Sequence, residues 1–314
     1  MSLKEFSKKI INRFSAPHYY IGSVEDNKSG ELQLNRVRKQ QKEWTKNPSH
    51  NNPKFKKEEE ILDRDGLLII PNFFTDEVFK EITKEVELYK KSGQVKSFPN
   101  KDNFGVDWET GYLAKGAFSA LDEHLRKNEM ILELVKHTTR KDVLHLPEIV
   151  YQKLSLPMGG DDNTDVNRIN HADRFYPTIK VVLLTEDVTP EQGPFMYSKG
   201  THLLNEKRFK FEEKVAFYNA LLKEGRSDEI PPEWIFNKRI VPPKSLYEDQ
   251  IGTPIVGKAN TLAVINTCGF HYRGELQPGY SRECLRLVFH YVYSPPFAQN
   301  ALNLINLPPG RFLN

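Results

Sequence analysis

The chain has 314 residues, 28% of them charged and 38% hydrophobic, with a formal net charge of +3 and a mean hydropathy of -0.59. No stretch approaches the roughly 20 apolar residues that span a bilayer, which argues against an integral helical membrane protein, and the charge excess is too small for a surface that tracks nucleic-acid phosphates. The two cysteines, Cys268 and Cys284, are too few for a disulfide framework and stand at no zinc-type spacing, so a reducing cytoplasm is expected and both read as small core residues.

Residues 1–60, rich in Lys, Asn, Gln and Glu, read as a basic, partly ordered N-terminal arm. Leu3, Phe6, Ile10 and Phe14 recur there at helical spacing, with Lys4, Lys8, Lys9 and Arg13 off the stripe. Residues 1–14 therefore suit a helix docked on the core or, in a second reading, a basic helix resting on an anionic membrane surface. The start lacks the continuous apolar core of a secretory signal, so export is not expected. Residues 61–314 read as one domain. In it "GLLIIPNFF" predicts a buried strand ending at Pro71. Thr75 or Asp76 can cap a following helix with Val78, Ile82, Val86 and Tyr89 on one face, because their side-chain oxygens satisfy orphan amides. A second helix is predicted from Phe118 to Val135.

Beyond it, short apolar runs alternate with Pro, Gly and Asn: "EIVYQKLSL", "TIKVVLLTEDV", "GPFMYSKGTH", "GTPIVGKANTLAVI" and "RLVFHYVY". Such punctuation suggests a sandwich or jelly roll, mainly β with flanking helices in an α+β arrangement. A helical insertion at about 203–250, with Phe211, Val215, Tyr218 and Leu222 on one face, interrupts the strands and is a natural lid.

"RINHADRFYPTIK" places His171 and Asp173 one residue apart ahead of a β-branched run. Among nine histidines such a pair arises easily by chance, and it gains meaning only with a third ligand. Iron(II) oxygenases use two histidines and one carboxylate on one face, leaving positions open for a cosubstrate and oxygen. "NTCGFHYRG" offers His271 directly after "TLAVI", at a separation that suits a returning jelly-roll strand. A 2-oxoglutarate cosubstrate also needs a buried cation for its distal carboxylate. Arg282 lies eleven residues past His271 and is favoured. Arg286, four further on, shares its strand face and stays open. Lys180, behind the ligand pair, is either an inward ammonium for the cosubstrate or an exposed lysine, and Gln152 can offer its amide to the same molecule. His202 closes a Gly-containing turn and reads as a structural hydrogen-bonding residue. Asp107, Trp108 and Glu109 read as a polar-aromatic loop near the substrate mouth.

As an ordered set, "HADRFYPTIKVVLLTEDVTPEQGPFMYSKGTH", then "FHYRG" and an arginine, resembles the phytanoyl-CoA dioxygenase family over roughly residues 60 to 297. The resemblance implies a double-stranded β-helix of the cupin-like kind, Fe(II) held by His171, Asp173 and His271, and 2-oxoglutarate held by the arginine after the distal histidine. It implies hydroxylation of an unactivated C–H bond in a small-molecule, lipid-linked or saccharide substrate, with release of succinate and CO2. Halogenases that resemble the family lack the carboxylate, so Asp173 points to hydroxylation. Lys199 and Thr201 in "SKGTH" depart from the family's usual Pro and Ser, a change in the turn and not in the metal set. Two rival readings are a metal-dependent jelly-roll isomerase or hydrolase without 2-oxoglutarate, and a binding module without turnover.

Overall fold

The computed structural model describes residues 22–46, 52–99, 105–143, 145–163, 165–247 and 252–289. The basic helix read at residues 1–14 lies outside them, as does the end of "RLVFHYVY". Among the described residues no helix is long and apolar enough to cross a membrane.

The strand read at "GLLII" is β1 (Leu67–Ile70), and its helix is α4 (Asp76–Lys91), with the Thr75 hydroxyl accepting from the Val78 amide and Ile82, Val86 and Tyr89 buried. The described part of the segment before it is largely helical. It holds a short turn α1 (Val24–Asn27), a 16-residue α2 (Glu31–Lys46) and α3 (Lys56–Asp65). Only Leu34 and Val37 supply the buried apolar face of α2, beside Gln33 and Arg36, which are buried because they bond each other and Glu212. Polar anchoring of that kind leaves no apolar periodicity to read.

The second helix is also corrected. Leu121–Arg126 forms a π-helical turn, and a separate α5 (Glu129–Thr139) starts where the Asn128 side chain accepts from the Ile131 amide. A cap inside the expected span splits it, since an N-cap residue leaves helical dihedrals.

The remaining strands are β2 (Lys96–Phe98), β3 (Asp107–Leu113), β4 (Glu148–Ser155), β5 (Ile179–Leu184), β6 (Phe195–Tyr197), β7 (Ile235–Phe236), β8 (Arg239–Ile240), β9 (Thr253–Ile255), β10 (Leu262–Asn266), β11 (His271–Arg273) and β12 (Ser281–Val288). Asp107, Trp108 and Glu109 thus open a strand and not a loop. Between β6 and β7 runs the inserted helix α6 (Glu206–Lys223). The main sheet orders β1-β10-β5-β12-β4-β3-β2, a second orders β11-β6-β9, and β7 with β8 makes a small hairpin. The described pairings within these sheets are antiparallel. This is a double-stranded β-helix with flanking helices.

The strands work by period two. Tyr151, Val181, Leu183, Leu285 and Leu287 pack beneath α3, α4 and α5, while Val182, Leu184 and Cys284 face Tyr197 and Ile255 of the second sheet. Between the sheets lies the space in which the candidate site is built. Leu285, fully buried, tests the helix-covered face: Leu285→Ala should lower stability by about 2–5 kcal/mol through lost burial and a residual cavity, read as a shifted midpoint in urea unfolding.

Candidate functional site

His171 and His271, distant in sequence, form a reciprocal backbone pair. The amide of His171 donates to the His271 carbonyl at 2.9 Å, and the amide of His271 returns the bond at 2.8 Å. Such a pair sends opposite side chains to one face of the ladder, and the two imidazoles lie 4.6 Å apart by ring centroid. Asp173 is fixed by its amide donating to the Thr267 carbonyl at 3.0 Å. The loop that delivers His271 is tightly packed. A Cβ on Gly269 would lie 2.0 Å from the Tyr197 hydroxyl oxygen, and that hydroxyl donates to the Asn266 carbonyl.

The nitrogen and oxygen atoms that these three side chains offer lie within 4.8 Å of one another. Each imidazole turns Nδ1 toward a carbonyl, His171 toward Ile169 at 2.8 Å and His271 toward Gly269 at 3.0 Å. Nδ1 must then carry the proton, and Nε2 is left with its lone pair. Asp173 Oδ1 sits 3.8 Å from the His171 Nε2 and 3.5 Å from the His271 Nε2. The buried Nε2 of His271 has no hydrogen-bond partner among the described residues. An orphaned lone pair beside a second imidazole and a carboxylate is what a divalent metal satisfies, so the residues present fit one. Phe195 stacks on the His271 ring at 5.1 Å and 14°, which fixes its plane.

Lys180 points inward, and its Nζ stands 3.2 Å from Asp173 Oδ2. The ammonium therefore engages the carboxylate directly. Burial pushes the Asp173 carboxyl up, but Lys180 and the two imidazoles outweigh it and hold the group well below the usual carboxylate range. Burial and then the neighbouring His271 bring the His171 imidazole down to about 4, so it is neutral at physiological pH. Burial lowers Lys180 as well, against the pull of Asp173.

Behind the triad a cavity of about 100 Å³ runs between the sheets, with Gln152, Lys180, Arg282 and Arg286 all on its wall. Gln152 on β4 stands opposite Cys284 on β12. Arg282 is buried, and one nitrogen, Nη1, donates to the Gly193 carbonyl. Arg286 also faces inward, as the spacing of four requires, and its buried Nε has no hydrogen-bond partner among the described residues. A second cavity of about 230 Å³ lies on the other side of His171, walled by Phe211 and Val215 of α6 and by Ile240 of the hairpin. His202 stands apart from the triad, its Nε2 against the Asp63 carbonyl at 3.1 Å. Both cysteines are free and buried.

Two supports, Arg273 and Arg208, escaped the sequence reading, whereas Trp108 was read near the substrate mouth. Arg273, two residues past His271, is locked by Asp165 at 2.6 Å and Asp162 at 2.8 Å. Trp108 lines the cavity. Arg208 of α6 reaches back to the carbonyls of Arg174, Thr201 and Cys268. "HYR" signals the first, since an arginine on the face of a strand histidine must find an acid; its partners lie in the loop 162–165, which carries no pattern.

Residues 62–234, more than half of the chain, match the sequence profile described as Phytanoyl-CoA dioxygenase (PhyH). The chain belongs to that family. The PhyH match takes in His171 and Asp173 and ends before His271, Arg282 and Arg286, which the sheets bring to them. No curated protein matches the sequence significantly. Among solved structures, the fold is similar to the non-heme alpha ketoglutarate dependent epimerase SnoN from nogalamycin biosynthesis, at 12% identity and a TM-score of 0.50 over 84% of this chain and 93% of that one. A Pseudomonas putida prolyl-4-hydroxylase aligns at 14% identity and a TM-score of 0.45, over 73% of this chain and 95% of that one. EctD from S. alaskensis with bound Fe aligns at 12% identity and a TM-score of 0.44, over 74% of each chain.

Asp165 tests the frame around the cavity. Asp165→Ala leaves the buried Arg273 guanidinium short of its shorter ion pair, and should lower stability by about 3–5 kcal/mol, measured by chemical denaturation.

Proposed function

We propose that the chain is an iron(II)- and 2-oxoglutarate-dependent dioxygenase that hydroxylates a C–H bond of a small-molecule substrate. The observation that carries this reading is the trio of atoms turned toward one point: two proton-free Nε2 atoms and a carboxylate oxygen, with one Nε2 buried and unpartnered. In this reading His171, Asp173 and His271 hold the metal. When bound, iron and 2-oxoglutarate supply the activation of O2, with one oxygen atom going to succinate, one to the substrate carbon, and CO2 released.

The chain's own residues do the rest. The Ile169 and Gly269 carbonyls hold both imidazoles in the ligating tautomer. Lys180 occupies Oδ2 of Asp173, which leaves Oδ1 to bind through a single oxygen and keeps positions free for other ligands. Arg282 suits the distal carboxylate of 2-oxoglutarate. It is buried, part of its guanidinium fork is uncommitted, and a guanidinium can grip a carboxylate through two hydrogen bonds. Val182, Leu184 and Ile255 give the wall an apolar stretch beside that molecule, which strengthens the charge contacts next to it. Gln152 is placed to offer its amide. The second cavity, walled by α6 and the hairpin, gives the body of a substrate room next to the metal.

An anaerobic titration of the protein with ferrous iron and 2-oxoglutarate tests the reading. A weak visible charge-transfer band should appear with wild type, disappear in His171→Ala, and require at least about tenfold more 2-oxoglutarate in Arg282→Gln, as expected for a lost buried charge contact. Absence of the band from folded wild type would overturn the assignment. Product analysis then separates hydroxylation from other outcomes of the same chemistry.

Lys180→Met removes the ammonium that orients Asp173. Metal affinity in anaerobic equilibrium dialysis should fall by about 10–100-fold, the usual cost of a lost outer-shell partner, with the fold intact by circular dichroism.

A further inference from the structure

The inner cavity is too basic for the molecules already assigned to it. Three of its four wall cations, Lys180, Arg282 and Arg286, lie on the main sheet; the fourth is Arg273, and no carboxylate lines the cavity among the described residues. Arg273 is neutralised by Asp165 and Asp162, and Lys180 by Asp173. Arg282 has a carbonyl for company. Arg286 has no ion pair among the described residues, and its Nε is buried without a hydrogen-bond partner. Adding a ferrous ion and a 2-oxoglutarate dianion changes nothing in this balance, because their charges cancel. Two guanidiniums then face one distal carboxylate.

The register shows that they do not share it easily. Along β12, Arg282 pairs with Leu154 and its guanidinium is held at the Gly193 turn. Arg286 pairs with Val182, one inward position from the pair Val288 and Lys180, and Lys180 is the residue that touches Asp173. Four residues of strand separate the two stems by about 13 Å. Arg282 thus marks the end of the cavity remote from the triad, and Arg286 stands at the triad's end. A half-buried guanidinium there, with its buried Nε unsatisfied among the described residues, gains from an oxyanion that fills its fork.

We propose that Arg286 receives an anionic group of the substrate, so that the compounds oxidised here are small molecules bearing a carboxylate, phosphate or sulfate group near the carbon that reacts. The inference rests on the function proposed above and on Arg282, not Arg286, holding 2-oxoglutarate. It accounts for a second inward arginine, and it makes the cavity's charge a selection device: a neutral compound of equal shape leaves the buried Nε of Arg286 unsatisfied.

The test uses anaerobic protein saturated with ferrous iron and 2-oxoglutarate, titrated calorimetrically with acetate, sulfate and methylphosphonate. Wild type should bind at least one of the three, Arg286→Gln should bind it at least about tenfold more weakly, and Arg286→Lys should retain part of the affinity. The 2-oxoglutarate dependence of the visible band should stay within about twofold of wild type in Arg286→Gln, because that variant leaves the proposed cosubstrate contact intact. Wild type that shows the band but binds none of the three oxyanions overturns the inference and leaves the proposed function standing. So does oxyanion binding that is unchanged in Arg286→Gln. A tenfold loss of 2-oxoglutarate affinity in Arg286→Gln, matching Arg282→Gln, makes Arg286 a cosubstrate residue instead. Loss of the band from wild type itself removes the function and this inference together.

Discussion

Two backbone hydrogen bonds between His171 and His271 carry the whole site. They tie the loop before β5 to the first residue of β11, and in doing so they convert a long separation in sequence into adjacent imidazoles. Neither histidine is placed by its own side chain. Each is placed by main-chain pairing that continues the antiparallel logic of the sheets, so the geometry is as rigid as the ladder around it. The carbonyls two residues upstream of each ring then set the tautomer. Asp173 enters by the same means, through the Thr267 carbonyl.

The electrostatics follow from that placement. A carboxylate set among two imidazoles beside the cavity gains from a counter-charge, and Lys180 supplies it from the strand behind. The ammonium acts twice, keeping Asp173 ionised and taking the oxygen that points away from the rings. The same strand pattern that brings Lys180 inward brings Val182 and Leu184 with it, so charge and dryness come from one alternation. On β12 the alternation sends Leu285 and Leu287 to the helix-covered core and Arg282, Cys284 and Arg286 to the cavity.

Much of this was legible in the residues. Short apolar runs punctuated by Pro, Gly and Asn marked most of the strands, and "HADRFYPTIK" with "FHYRG" pointed to His171, Asp173 and His271 through the ligand pattern and the family's ordered motif. Arg282 and Arg286 on one face followed from their spacing. The illegible parts share a cause: they are held by polar contacts between elements, which leave no periodic trace. Helix α2 looked structureless because Gln33 and Arg36 are buried against Glu212 and each other. The cap at Asn128 split a helix that apolar residues alone would have continued. Arg273 and its two aspartates meet only in three dimensions. Lys180 was seen as facing inward or outward, and its bond to Asp173 could not be told from the sequence.

The inserted helix was read as a lid, yet its Arg208 holds the carbonyls of Arg174, Thr201 and Cys268 while its own carboxylate partner Glu212 lies one turn away. Arg174 follows Asp173 and Cys268 precedes His271 by three residues, so α6 is stitched to both flanks of the triad. Detaching the helix would strand a buried guanidinium and loosen the footing of His171, Asp173 and His271 at once. Order at these three side chains and proteolytic resistance of the insertion therefore rest on the same buried contacts.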